Sequence, residues 1–124
     1  VTSPASGTVV YIDDEVLLCR AFQAIVRRHC PHVVTFSDPA AAVAYLREHP
    51  VAVVFSDLRM PQMSGIDVLG YLTASVSPVP PFYIVTGDLD VASALAGHPH
   101  VRRTLAKPFD VDEILDIIRQ HTAA

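Results

Sequence analysis

Val53-Val54-Phe55-Ser56-Asp57-Leu58-Arg59-Met60-Pro61 is the stretch on which the reading of this chain turns. The apolar run from Val51 to Phe55 predicts a buried strand. It leads to one acidic side chain, Asp57, just before a turn punctuated by Pro61 and Gly65. In a parallel α/β sheet, strand C-terminal ends and the loops after them line the crevice where ligands bind. A carboxylate there is placed for chemistry. The plainer reading is an Asp that caps the next helix or shapes the turn.

Working outward towards the N-terminus, Pro39 in a first helical turn with Asp38 as its cap opens an alanine-rich helix that turns Val43 and Leu46 inward and ends near His49-Pro50. Before it, His32 to Phe36 reads as a strand. From Glu15 to about His29, Leu17, Leu18, Ala21, Phe22, Ile25 and Val26 recur at helical spacing, with Arg20, Arg27, Arg28 and His29 as a solvated face. Thr8 to Ile12 is the first strand, with Asp13-Asp14-Glu15 at its C-terminal end. Residues 1–7, small, polar and Pro/Gly-bearing, read as a linker or disordered arm, which leaves 8–122 as one domain.

Towards the C-terminus, Ser64 caps a helix from Gly65 to about Ser75 that carries Ile66, Val68, Leu69 and Leu72. Phe82 to Val85 is a fourth strand, ending at Thr86-Gly87-Asp88. A short, weak helix runs to about Ala96, where Gly97 stops it. Val101 to Ala106 is interrupted by Arg102 and Arg103, which an edge strand tolerates. After Lys107-Pro108, Asp110 and Glu113 form a capping pair for a last helix whose stripe is Val111, Ile114, Leu115 and Ile118. Five strands alternating with five helices predict an α/β fold: a doubly wound, five-stranded parallel sheet with helices on both faces.

The totals agree. A chain of 124 residues, 51% apolar and 18% charged, is long enough for a single self-sufficient core. With a net charge of -4 and no Lys/Arg run beyond two residues, nothing in it suggests nucleic-acid binding. No apolar run approaches a membrane span, and no signal peptide is visible. Cys19 and Cys30 fit neither a zinc nor a redox pattern. If both lie on the first helix they stand about 16 Å apart along it, too far for a disulfide. Two unpaired thiols suit a reducing cytoplasm. His98-Pro99-His100, the tightest histidine pair, has no third ligand nearby and reads as a loop.

Asp13 and Asp14, Asp57, Thr86 and Lys107 follow or end different strands, always on the C-terminal side, so a parallel sheet gathers them at one edge. Crowded carboxylates there repel by up to about 4 kcal/mol per close pair. A hard divalent cation such as Mg2+ relieves that. Lys107 adds a point charge for an anion and Thr86 a hydroxyl donor. Carboxylate nucleophile, metal, ammonium and hydroxyl together suit phosphoryl transfer onto Asp57. Singly, Asp14 and Thr86 also read as caps and Lys107 as a surface cation.

The segments Tyr11-Ile12-Asp13-Asp14-Glu15, Phe55 to Pro61 with Gly65, Ile84-Val85-Thr86-Gly87 and Lys107-Pro108-Phe109 resemble, in this order and spacing, the receiver domain of two-component response regulators. The resemblance covers about Thr8 to His121. It implies a flavodoxin-like strand order 2-1-3-4-5 and a phosphorelay role: a phosphoacceptor signalling domain and not an enzyme in the ordinary sense, though one that assists its own phosphorylation. Asp57 would take a phosphoryl group from a phosphohistidine of a sensor histidine kinase or histidine phosphotransfer protein. Asp14 and Asp57 would hold Mg2+ directly, Asp13 through water, with the Arg59 backbone carbonyl completing the protein ligands. Thr86 and Lys107 would contact phosphoryl oxygens, and the Lys107-Pro108 bond would be cis. The fourth helix, fifth strand and fifth helix often serve as output face or homodimer interface in such domains. No effector domain is expected in this stretch, so the resemblance implies either a stand-alone receiver or one from a longer protein such as a hybrid histidine kinase, and the linker-like start leans slightly towards the second. Arg59 and Asp88 occupy positions that flank water access in the family, where opposite charges can pair and slow hydrolysis or stand as two independent surface charges.

Two rivals stand beside this reading. An interaction-only pseudo-receiver is disfavoured by the full residue set. A haloacid dehalogenase-type phosphatase would place its nucleophile after the first strand. One departure matters: receivers usually carry Tyr or Phe three residues before the Lys, and here Thr104 stands there. Moving an equilibrium from 1:99 to 99:1 takes about 5.5 kcal/mol, and one hydrogen bond to a charged group supplies about 1.5–3. Without that aromatic, the expected change around the fourth and fifth strands is small or differently built. Spectra of the free and phosphoryl-mimic forms should differ little there; large shifts through the fourth helix and fifth strand would contradict this.

Overall fold

The computed structural model describes residues 7–122; of the 1–7 linker expectation, all but Gly7 lies outside the described residues. The elements alternate as β1 (Val9–Ile12), α1 (Val16–Val26), β2 (Val33–Phe36), α2 (Pro39–Glu48), β3 (Val53–Asp57), α3 (Gly65–Ser75), β4 (Phe82–Thr86), α4 (Leu89–Leu95), β5 (Val101–Ala106) and α5 (Val111–Thr122). The strands form one sheet in the order β2-β1-β3-β4-β5, every pair parallel. The expected fold is therefore present, with the Arg-interrupted β5 at an edge and a register shift between Phe82 and Tyr83 where Arg102 is accommodated.

Period-two alternation divides the core. Val9, Tyr11, Val53, Phe55, Tyr83 and Val85 point to the face covered by α1 and α5. Val10, Ile12, Val54, Phe82 and Ile84 point to the face covered by α2 and α3. Both faces are covered by helices, and the three central strands are buried at every residue. Among the described residues no helix is long and apolar enough to cross a membrane.

Local chemistry sets the helix starts. The Asp38 carboxylate accepts from Ala40 N–H, with Pro39 in the first turn. Ser64 and Asp67 close a reciprocal capping box on α3. At α5, Asp110 accepts from Asp112 N–H and Glu113 N–H, but Glu113 turns away to Arg103 at 3.0 Å, so the expected pair is only half a capping box.

Three helical expectations need correction. Helix α1 ends at Val26, so Cys30 lies beyond it; each thiol is buried and free, Cys30 donating towards the Gly7 carbonyl. The buried stripe of α1 is Cys19, Phe22 and Val26, while Leu17 and Ala21 face outward, Leu17 being 76% exposed. In α5 Val111 is exposed and Ile117 is buried. The α1 face is rotated from the expected stripe, whereas α5 keeps Ile114, Leu115 and Ile118 inward and adds Ile117. A cis bond joins Lys107 to Pro108, as expected; Ser77-Pro78 is also cis, which the sequence reading missed.

The loop after β3 doubles back tightly. Gly65 N–H donates to the Leu58 carbonyl at 2.9 Å, and a Cβ on Gly65 would lie 2.6 Å from the Asp57 carbonyl oxygen and 2.9 Å from Ile84 Cδ1. Gly70, inside the same helix, has no such neighbour within 4 Å. Gly65→Ala should therefore cost about 1–3 kcal/mol by overpacking, while Gly70→Ala should gain up to about 1 kcal/mol from helix propensity. Urea unfolding of both variants checks this; equal effects would show that the close approach is not a constraint.

Candidate functional site

The strand ends are in register: Ile12 pairs with Ser56, Asp57 with Val85, and Thr86 with Ala106. One step further, Asp13 N–H donates to Phe36 O and Lys107 N–H to Thr86 O, each at 3.0 Å. The ladder thus delivers Asp13, Asp57, Thr86 and Lys107 to one edge, with Asp14 beside them. Carboxylate oxygens of Asp13, Asp14 and Asp57 lie within 4.8 Å of one another, an acidic cluster able to hold a metal ion.

Lys107 ties this cluster together. Its Nζ is 2.9 Å from Asp13 Oδ2 and 3.3 Å from Asp57 Oδ1. Asp13 is wholly buried, Asp57 is 8% exposed and Asp14 half-buried, so the anionic opening lies at Asp14 and Asp57. Asp13 Oδ2 also accepts from the Tyr11 hydroxyl at 2.7 Å, and Oδ1 from Glu15 N–H at 3.0 Å. The Asp14 cap reading is not supported: Glu15 is the N-cap of α1, and it makes no side-chain cap bond.

Electrostatics follow from this crowding. Burial, then the Asp13 charge, push the Asp57 carboxyl above its usual value, against the lowering effect of Lys107. Burial disfavours the Lys107 ammonium, yet its bonds to Asp13 and Asp57 outweigh that and raise its pKa. Cys19, whose thiol donates to the Asp13 carbonyl at 3.2 Å, is pushed up to about 11 by burial and then by Asp13, which keeps it protonated and inert.

Thr86 Oγ1 accepts from Asp88 N–H at 3.1 Å, a turn-shaping role that leaves its O–H to donate to an anion. Asp88 does two jobs: Oδ1 caps α4 through Asp90 and Val91, and Oδ2 meets Arg59 at 2.6 Å. The anticipated pairing of Arg59 with Asp88 is thus present, although the Arg59 side chain is 73% exposed. His98-Pro99-His100 lies in a turn, its rings 6.5 Å apart. Sequence reasoning missed Tyr11 and the capping role of Asp88. Each left a signal: a Tyr inside a fully buried strand needs a partner for its hydroxyl, and an Asp just before a helix is a preferred cap.

Comparison with known proteins agrees with this geometry. Residues 9–119 match the family model described as response regulator receiver domain. The chain is 38% identical over 122 residues to the transcriptional regulatory protein KdpE of Mycobacterium tuberculosis, covering 94% of this chain and 53% of that protein. It is 31% identical over 109 residues to the probable transcriptional regulatory protein TcrX of the same organism, covering 87% and 46%. The chain thus spans about half the length of these relatives. Among solved structures, a response regulator receiver domain protein from Clostridium thermocellum superposes with TM-score 0.81 at 25% identity, covering 93% of each chain. The signal receiver domain of an HD domain-containing protein from Pseudomonas fluorescens gives TM-score 0.82 at 22% identity, covering 98% and 90%. The parallel sheet, the acidic edge and the matched family model lead to one conclusion: this chain belongs to the receiver-domain family of two-component response regulators, the signalling domains of phosphorelays.

Proposed function

We propose that Asp57 is the phosphoacceptor of this domain and that the opposed acidic edge binds Mg2+. The observation that carries the proposal is Lys107, held between Asp13 and Asp57 where an incoming phosphoryl group would otherwise meet only negative charge. Asp57 Oδ attacks phosphorus of a phosphohistidine, the P–N bond breaks, and the imidazole leaves with its electron pair and takes up a proton. The product is an acyl phosphate on Asp57. Lys107 and the Thr86 hydroxyl donate to its oxygens.

The three close carboxylates suit a hard cation. Asp14 and Asp57 would bind it, Asp13 through a water, with the Arg59 carbonyl as the further protein ligand. When bound, Mg2+ offsets the carboxylate charge and that of the transferring group. Receiver domains of this family partner with histidine kinases; for this chain the donor is a sensor histidine kinase or histidine phosphotransfer protein, met in the cytoplasm. The relatives named transcriptional regulatory proteins are about twice as long, and an output segment of that kind is the expected effector. The intact set Asp13, Asp14, Asp57, Thr86 and Lys107 favours this over a phosphorylation-independent module.

Intact mass after incubation with a small acyl-phosphate donor should show one added phosphoryl group, dependent on Mg2+ and absent in Asp57→Asn. The same mass gain in Asp57→Asn would refute the assignment. Arg59 reaching Asp88 across the loops after β3 and β4 restricts water at Asp57, so Arg59→Ala should shorten the phosphorylated lifetime; an unchanged lifetime removes that role.

A pH dependence follows from the raised Asp57 carboxyl. A group whose pKa is higher folded than unfolded contributes stability that is present at low pH and lost as pH rises through the folded value. Ionised Asp57 is therefore a cost to the ion-free fold at neutral pH. In metal-free buffer Asp57→Asn should melt above the wild type at pH 7, and the gap should close on acidification through the Asp57 pKa. A gap independent of pH would contradict this.

A further inference from the structure

Among the four residues of β1, Val9, Val10, Tyr11 and Ile12, Tyr11 alone has a polar tip, and it is wholly buried. Its ring is fixed from two sides. Phe22 stacks on it with centroids 4.3 Å apart and planes within 12°, and Phe109 meets it edge-on at 6.2 Å. Packing therefore sets where the hydroxyl lies, and it lies 2.7 Å from Asp13 Oδ2.

A carboxylate has about four lone-pair sites. On Asp13, Oδ2 receives both the Tyr11 hydroxyl and the Lys107 ammonium, and Oδ1 receives Glu15 N–H. Three donors fill three sites, and one lone pair on Oδ1 remains. Asp13 has no exposed surface, and on its core side, where the Tyr11 ring lies between Phe22 and Phe109, no water stands ready to replace a lost hydroxyl donor. Lys107 is shared between Asp13 and Asp57, and Glu15 N–H sits at the start of a helix. Of these three donors, Tyr11 is the one whose place is set by aromatic packing in the core.

We propose, resting on the reading that this edge binds Mg2+, that Tyr11 is a positioning residue for the cation and for Lys107. Its hydroxyl fixes the rotation of the Asp13 carboxylate, directing Oδ2 to Lys107 and leaving a single Oδ1 lone pair for the ion or its water. The competing account is a core tyrosine whose hydroxyl merely needs a partner. Tyr83 supplies the control: it is also buried, and its hydroxyl pairs at 2.8 Å with His121 Nε2, away from the carboxylates.

The test is Mg2+ titration of the wild type, Tyr11→Phe and Tyr83→Phe, followed by amide resonances of the loop after Asp57. Loss of an outer-layer hydrogen bond at a metal site typically costs about 10–100-fold in affinity, and one acting through the water-linked Asp13 should fall at the lower end. Tyr11→Phe should weaken Mg2+ binding by about tenfold or more and Tyr83→Phe by less than about twofold. A wild-type signature needs no variant: the buried Tyr11 hydroxyl proton should shift as Mg2+ is added. Unchanged or tighter binding in Tyr11→Phe, equal weakening in both variants, or a Tyr11 hydroxyl resonance indifferent to Mg2+ would each overturn the proposal. A wild type with no Mg2+ affinity would instead overturn the cation reading on which it rests.

Discussion

One ammonium among three carboxylates is the constraint on which this structure turns. Like charges about 4 Å apart near a protein surface repel by about 4 kcal/mol, and here three carboxylates have oxygens within 4.8 Å of one another. No folding equilibrium carries that without local compensation. Lys107 supplies part of it, reaching Asp13 and Asp57 at once. Protein donors on Asp13 supply more. What remains uncompensated is concentrated on Asp14 and Asp57, the two carboxylates with access to solvent. The site is thus a graded one: buried charge satisfied internally, exposed charge left for a ligand.

The rest of the molecule serves that gradation. Five parallel strands end in register because both faces of the sheet are packed, and a one-residue slip in any of them would exchange core for solvent. Thr86 and Lys107 then extend the same ladder by one more hydrogen bond. The Gly65 backbone closes against Asp57 so tightly that a methyl group has no room, which fixes the direction of the acceptor's own strand end. Precision at the edge is inherited from close packing beneath it.

Much of this was legible in the chain. Apolar runs ending on polar residues located all five strands, and Asp38, Ser64 and Asp110 announced their helices. The five residues at the strand ends were identified correctly as neighbours because a parallel sheet leaves them no other place. Legibility failed where tertiary packing overrules periodicity. The 3.6-residue stripe of α1 admits Leu17 or Cys19 inside, and only the Phe22–Tyr11 stack decides between them. Tyr11 is hard to read for a related reason: its ring fits the strand pattern, and only the need of a buried hydroxyl for a partner marks it.

Arg59 and Asp88 show how a weak interaction can matter by position. An ion pair this exposed contributes little to stability, commonly below about 1 kcal/mol. Asp88, however, is held independently: its other oxygen caps α4, and its own N–H is bound by Thr86. The pair therefore connects the loop after Asp57 to the residue proposed to sense phosphate, through an anchor that is already rigid. Thr104 stands on β5 where receivers usually carry an aromatic, and the Arg59–Asp88 contact joins the loop after Asp57 to the N-cap of α4. Displacement of Thr86 towards a phosphoryl oxygen would loosen the Asp88 N–H, and with it both the α4 cap and the Arg59 contact. A small motion at one hydroxyl would then reach the first turn of α4, whose Val91 and Leu95 are packed against the core.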